Sequence, residues 1–248
     1  CIESIFRQTR LPDEVIIGDD GSKDDTRLLI EEMAKISPIP LIHVWQEDDG
    51  YRLSTIRNKS AAKSSGEYLI ETDGDIILHP RFVEDHERMA SHGKYLKGSR
   101  TLLSPSFTES ICVNGLVPKI PFWSSGILKK RDTAIRSHLI ASFLKDRFKK
   151  GKAIGLGCNM SFWKSDFIAI NGYDESFVGW GKEDDDLAHR LDRYGVVKRD
   201  LRCFAIAYHL WHNESSRHNH GVNESLMKLH DYLNTTRITN GVNKYMNA

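Results

Sequence analysis

Over the first third of the chain, short β-branched runs alternate with longer stretches of helical spacing, and this rhythm restricts the fold more than any other feature. "EVIIGDD" (14–20) reads as a strand ending in a turn, residues 24–36 as a helix opened by Asp24, and "PLIHVWQ" (40–46) as a second strand. Residues 54–65 read as a helix, "EYLIETD" (67–73) as a third strand, and 79–92 as a helix with Pro80 in its first turn. Strand, helix and strand in series are the mark of βαβ units, so an α/β fold with a mainly parallel sheet is expected. The series opens on a helix, "CIESIFRQT" (1–9), with no strand ahead of it. The sequence is therefore expected to be truncated at its N-terminus and to lack the first strand.

Beyond residue 100 the pattern loosens. Residues 101–156 hold Pro105, Pro118 and Pro121 and one basic helix at 136–150, and read as an insertion or loop region. Residues 159–167 read as a strand, 183–194 as a helix, 203–211 as a strand and 222–239 as a C-terminal helix. The 248 residues suit one domain, and 35 basic against 34 acidic side chains give no field that would draw nucleic acid. Cys1, Cys112, Cys158 and Cys203 are far apart and form no CxxC pair, so they read as free thiols of a cytoplasmic chain. No apolar run is long enough to span a bilayer, which limits membrane contact to a peripheral one.

Chemistry is concentrated in acidic turns at strand ends, where open parallel sheets bind ligands. In "ETDGDI", Asp73 and Asp75 lie two residues apart; extended backbone at about 3.3 Å per residue sets their side chains on one side, spaced to hold Mg²⁺ or Mn²⁺. A polar Asp-Gly turn is the plainer account of the same letters. "IIGDDGS" repeats the arrangement: Asp19 or Asp20 is placed to accept from a ribose hydroxyl or a base N–H. Arg57 is a candidate for a diphosphate, whereas Lys63 reads as a solvated helix residue.

"GWGKEDDDLAHRL" (179–191) lines up four carboxylates at a helix start. At 100° per residue Leu187, Leu191 and Tyr194 mark the apolar face; Glu183 and Asp184 border it, Asp185 points away and Asp186 lies on a flank. Inward carboxylates cost stability unless they meet a metal, a donor or a substrate, so Glu183 and Asp184 are candidates for acid–base work. Trp180 beside them offers a flat face to a sugar ring, or fills the core. "YHLWHNESSRHNH" (208–220) supplies His209, His212, His218 and His220; on a continuing strand His209 and His212 face opposite sides, so at most one of them meets Asp73 and Asp75 unless the strand ends between them. A zinc site built from several of these histidines is the rival reading.

Taken together, "SIFRQTRLPDEVIIGDDGSKDDT", "IRNKSAAKSSGEYLIETDGD", "GYDESFVGWGKEDDDLAHRL" and "HLWH" resemble the family 2 GT-A glycosyltransferases whose C-terminal part is similar to chondroitin polymerases and β-1,4-galactosyltransferases. The resemblance implies one GT-A domain over 1–248, with a nucleotide-sugar half (1–100), the 101–156 insertion, and an acceptor and catalytic-base half (157–248). It implies a metal-dependent inverting transfer from a UDP-sugar to a glycan hydroxyl, in surface or capsular polysaccharide synthesis at the inner face of the cell membrane. A non-catalytic glycan-binding domain or a glycoside hydrolase are the alternatives. By the same resemblance Asp184 is the base and Glu183 orients the acceptor, Trp180 and Gly181 line the sugar site, Asp19, Asp20, Arg57 and Asp73 hold the nucleotide sugar, and Asp75 with Asp73 and His212 or His209 holds Mn²⁺ or Mg²⁺. Three departures stand out: the missing first strand, Glu71 at a strand position usually apolar in the family, and Lys182 in place of the second Gly of "WGGEDDD".

Overall fold

The computed structural model describes residues 1–115, 118–144, 153–213 and 218–246. In chain order the elements are α1 (Ile2–Phe6), β1 (Val15–Asp20), α2 (Asp24–Ile36), β2 (Leu41–Gln46), α3 (Leu53–Lys63), β3 (Tyr68–Glu71), β4 (Ile76–Leu78), α4 (Phe82–Met89), β5 (Lys94–Lys97), β6 (Ser99–Leu103), α5 (Pro105–Asn114), β7 (Ile127–Lys129), α6 (His138–Leu144), β8 (Met160–Trp163), α7 (Lys164–Ala169), α8 (Glu183–Tyr194), β9 (Val197–Asp200), β10 (Ile206–His209) and α9 (His220–Tyr232).

The strands form mixed sheets flanked by helices. β1 and β2 pair in parallel, with Val15 opposite Leu41. A second sheet runs β3-β8-β5-β9 and a third β4-β10-β6-β7. Antiparallel pairing enters through β8, which lies between β3 and β5, through β10 against β4, and through β6 against β7. Among the described residues β1 has no ladder partner besides β2, and β3 none besides β8. A cavity of about 1360 Å³ runs alongside both strands, lined by Val15, Ile17, Ile56, Ala61, Leu69 and, at its polar end, Asp73. Gly18 lets β1 close on α3, since a Cβ there would lie 2.6 Å from Ser60 Oγ.

Several expected boundaries shift. The strand expected over 159–167 ends at Trp163, and α7 begins at Lys164, where the backbone N–H bonds back to Glu67. The strand expected from residue 203 starts only at Ile206, because Cys203 and Ala205 take left-handed φ of 59° and 47°. The C-terminal helix ends at Tyr232, just before Asn234 at φ 50°. Of the basic helix expected over 136–150, His138–Leu144 is helical and residues 145–150 lie outside the described residues. The region read as loop supplies β6, α5 and β7; strands of five and three residues are too short to show a period. All four cysteines are free.

Candidate active site

β3 stops at Glu71 and the chain turns through Asp73 and Asp75 into β4, placing three carboxylates at the polar end of the cavity. α3 sends Arg57 into this turn. Its guanidinium donates to Asp184 Oδ1 at 2.6 Å and to Asp73 Oδ1 at 3.1 Å, with 11% of the side chain exposed. Tyr173 lies under the same guanidinium, 5.2 Å from ring centroid to Cζ, and its hydroxyl donates to Glu71 Oε2 at 2.6 Å. One cation thus faces Glu71, Asp73 and Asp184. Burial alone would lower the Arg57 pKa, but Tyr173, Asp184, Glu71 and Asp73 push it well above its ordinary value. Burial raises Glu71 to about 7 against the pull of Arg57, and raises Asp73 as well.

The second wall comes from the start of α8. Asp184 Oδ2 accepts from Gly157 N–H at 2.7 Å, and Asp185 from Gly155 N–H at 3.2 Å. Both glycines are sterically required: a Cβ on Gly157 would lie 2.2 Å from Arg57 Nη2, and one on Gly155 2.0 Å from the Asp184 carbonyl oxygen. Glu183 is buried, its Oε2 has no hydrogen-bond partner, and burial together with the charge of Asp184 raises it to about 7. Tyr51, on the same cavity, is pushed by burial and then by Glu183 to about 12. Trp180 also lines the cavity, stacked on His220 with centroids 5.9 Å apart, and Gly181 (φ 103°) gives its carbonyl to Asn223. The apolar face of α8 differs from its periodicity: Leu187 and Leu191 are fully buried, but Tyr194 is exposed, and Asp186 with Arg190 is buried in its stead.

β10 ends at His209, so the rule that alternate residues face opposite sides stops there. The chain bends, with Leu210 N–H bonding to the Asp75 carbonyl, and both His209 Nε2 (3.3 Å) and His212 Nε2 (3.0 Å) reach Asp75 Oδ2. Ligand atoms of the three residues lie within 4.8 Å of one another, and Asp75 Oδ1 is buried without a partner. An orphaned carboxylate oxygen beside two converging imidazoles fits a divalent cation, and the mixed N/O set suits Mn²⁺ better than the all-oxygen preference of Mg²⁺. Burial keeps the His209 pKa below its ordinary value, as a neutral ligand requires. Asp73 is turned to Arg57 instead, and His218 and His220 are not part of this group. At β1, burial would raise Asp19, but hydrogen bonds from Ser22 N–H and His43 hold it below its usual value. Asp20 accepts from Gln46 Nε2 and Arg52 N–H. Lys63 is exposed.

Residues 1–107 match the model described as Glycosyl transferase family 2, and 137–213 that described as N-terminal domain of galactosyltransferase. Residues 1–107 are thus a glycosyl transferase family 2 region. The chain is 28% identical over 212 residues to validoxylamine A glucosyltransferase of Streptomyces hygroscopicus subsp. limoneus, covering 78% of the chain and 44% of that protein. It is 26% identical over 212 residues to chondroitin synthase of Escherichia coli, covering 79% and 30%. The chain thus spans less than half of these relatives. Its fold is similar to S. aureus TarS 1-349 in complex with UDP (TM-score 0.59, 15% identity, 99% and 64% covered). It is similar, too, to GalNAc-T7 with UDP, GalNAc and Mn²⁺ (TM-score 0.59, 15% identity, 86% and 40% covered). At those identities the likeness establishes the GT-A fold.

Sequence reasoning gave no role to four contributors to the domain's acidic pocket: Tyr51, Gly155, Gly157 and Tyr173. A signal existed in "IGLGCN", where two glycines sit in an otherwise irregular stretch, but only the fold shows that they seat Asp184 and Asp185. No helix among the described residues is long and apolar enough to cross a membrane.

Proposed function

We propose that this domain is a metal-dependent inverting glycosyltransferase moving a hexose or N-acetylhexosamine from a UDP-sugar to a glycan hydroxyl. The observation that carries this reading is the Asp75–His209–His212 group at one cavity end, beside Asp73, whose partner Arg57 also holds Asp184. In this reading residues 1–100 hold the nucleotide sugar, with Asp19 or Asp20 toward the uridine, and 157–248 present the acceptor. Asp75, His209 and His212 would hold Mn²⁺, which supplies charge neutralisation to a departing diphosphate.

Asp184 removes the acceptor proton as the acceptor oxygen forms its bond to the anomeric carbon and the bond from that carbon to the diphosphate breaks. A carboxylate has about four lone-pair sites, so Asp184 can take the proton while Arg57 and Gly157 hold it still. Glu183, with an unpartnered oxygen, is positioned to hold an acceptor hydroxyl, and Trp180 gives the sugar a flat face. The acceptor is a growing surface or capsular polysaccharide, reached by peripheral contact at the inner face of the membrane.

Calorimetric titration of UDP with and without Mn²⁺ tests the site. Binding that needs Mn²⁺ and is lost in Asp75→Ala supports it, while equal binding without metal overturns the metal assignment. Asp184→Asn is expected to keep UDP binding and to lose transfer by at least about 100-fold; near-normal turnover would remove Asp184 as the base.

A further inference from the structure

Glu71 and Tyr173 have no part in the steps above, yet Tyr173 contacts the residue that takes the proton and Glu71 contacts Tyr173. Tyr173 is fully buried, and its backbone is fixed on both sides by Asn58, which accepts from Tyr173 N–H at 2.9 Å and donates to its carbonyl at 2.8 Å. Its hydroxyl has three neighbours: Glu71 Oε2 at 2.6 Å, Asp184 Oδ1 at 3.4 Å and Arg57 Nη1 at 3.4 Å. It carries one proton. The 0.8 Å difference between the two carboxylates gives that proton to Glu71 and leaves the hydroxyl oxygen as an acceptor for Arg57.

We propose that Glu71 is a positioning residue, which takes the Tyr173 hydroxyl proton and so keeps it off Asp184. With Glu71 present, Asp184 is held by two donors, Arg57 and Gly157 N–H, and shares the one guanidinium with Asp73. Without it, the hydroxyl turns to Asp184 Oδ1 and adds a third donor to the carboxylate, lowering its readiness to take a proton from the acceptor. This gives a purpose to a carboxylate at a strand position where the resemblance leads one to expect an apolar side chain. The inference rests on Asp184 being the base.

The test joins kinetics to a measurement that needs no activity. With Mn²⁺ and UDP-sugars, Glu71→Leu is expected to lower kcat about tenfold at nearly unchanged donor KM, the loss expected when one charge-assisted hydrogen bond is misdirected. Glu71→Gln keeps most of the rate, since its amide oxygen still accepts from Tyr173. In a Tyr173→Phe background, Glu71→Leu should cost nothing further, because no proton remains to misdirect. An equal loss in both backgrounds overturns the proposal.

Carbon-13 spectra of the carboxyl groups decide the proton's place directly. Tyr173→Phe should move the Glu71 carboxyl resonance and leave that of Asp184 almost unmoved; the reverse result overturns the proposal even if Glu71→Leu does not fold. If the wild type releases UDP from no UDP-sugar, the proposed function fails, while the spectra still report which carboxylate holds the hydroxyl.

Discussion

At residue scale, Lys182 shows what a single departure from the expected motif costs. It precedes α8 at φ 80°, a left-handed conformation in which a side chain is strained, and it forms an ion pair with Asp185 at 3.3 Å that is a quarter exposed. Such a pair contributes a few tenths of a kcal/mol at most, less than the strain. Lys182→Gly is therefore expected to raise stability by about 0.5 kcal/mol, the relief exceeding glycine's greater freedom in the unfolded chain. A urea midpoint that falls instead would show that Lys182 anchors the helix start. The metal group shows the limits of such reading from the other side. Asp75 and the histidines were legible as candidates, because carboxylates at strand ends and clustered imidazoles are unusual in composition. That both histidines reach one carboxylate was not, since it depends on β10 stopping at His209.

At the scale of elements, α8 and α9 are joined by buried charge. Asp186 accepts from Arg190 Nε at 2.7 Å and pairs with His230 Nδ1 at 2.7 Å; His230 Nε2 is 3.4 Å from Asp174. A second junction pairs Asp231 of α9 with His189 and Arg193 of α8. Burial would raise Asp186, but His230 and Arg190 override it and hold it below the usual carboxylate range. Asp186→Ala leaves Arg190 buried with its nearest counter-charge gone, which costs about 3–5 kcal/mol. Urea unfolding is expected to show that loss, and a loss below about 1 kcal/mol would mean that Arg190 finds another partner. Helices 24–36 and 183–194 were readable to the residue because Asp and a sustained 3.6-residue period mark them. Tyr194 was misplaced because periodicity weighs apolarity alone: Arg190 occupies the inward position that Tyr194 was assigned, and Asp186 one turn earlier on α8 with the Ile170 carbonyl makes that affordable.

At the scale of the whole molecule, the buried titratable groups leave a trace in how stability depends on pH. Burial and then the charge of Asp184 push Glu183 up from its ordinary 4.5 to about 7, so between those values the folded state binds more protons than the unfolded one. Its contribution is then largest below pH 4.5 and is lost as pH rises toward 7. Buried His86, held neutral by burial and lowered to about 3, acts in the opposite sense, losing stability as pH falls below 6.5. The two oppose each other in the wild type, so the measurement must isolate one. In Glu183→Gln the acidic contribution is gone while that of His86 stays. The variant is therefore expected to gain on the wild type by on the order of 2 kcal/mol between pH 4.5 and pH 7, and no further above it. Urea midpoints at pH 5, 7 and 8.5 give the difference curve; a curve flat from pH 5 to 7 would mean that Glu183 is ionised throughout and its unpartnered oxygen is satisfied in solution.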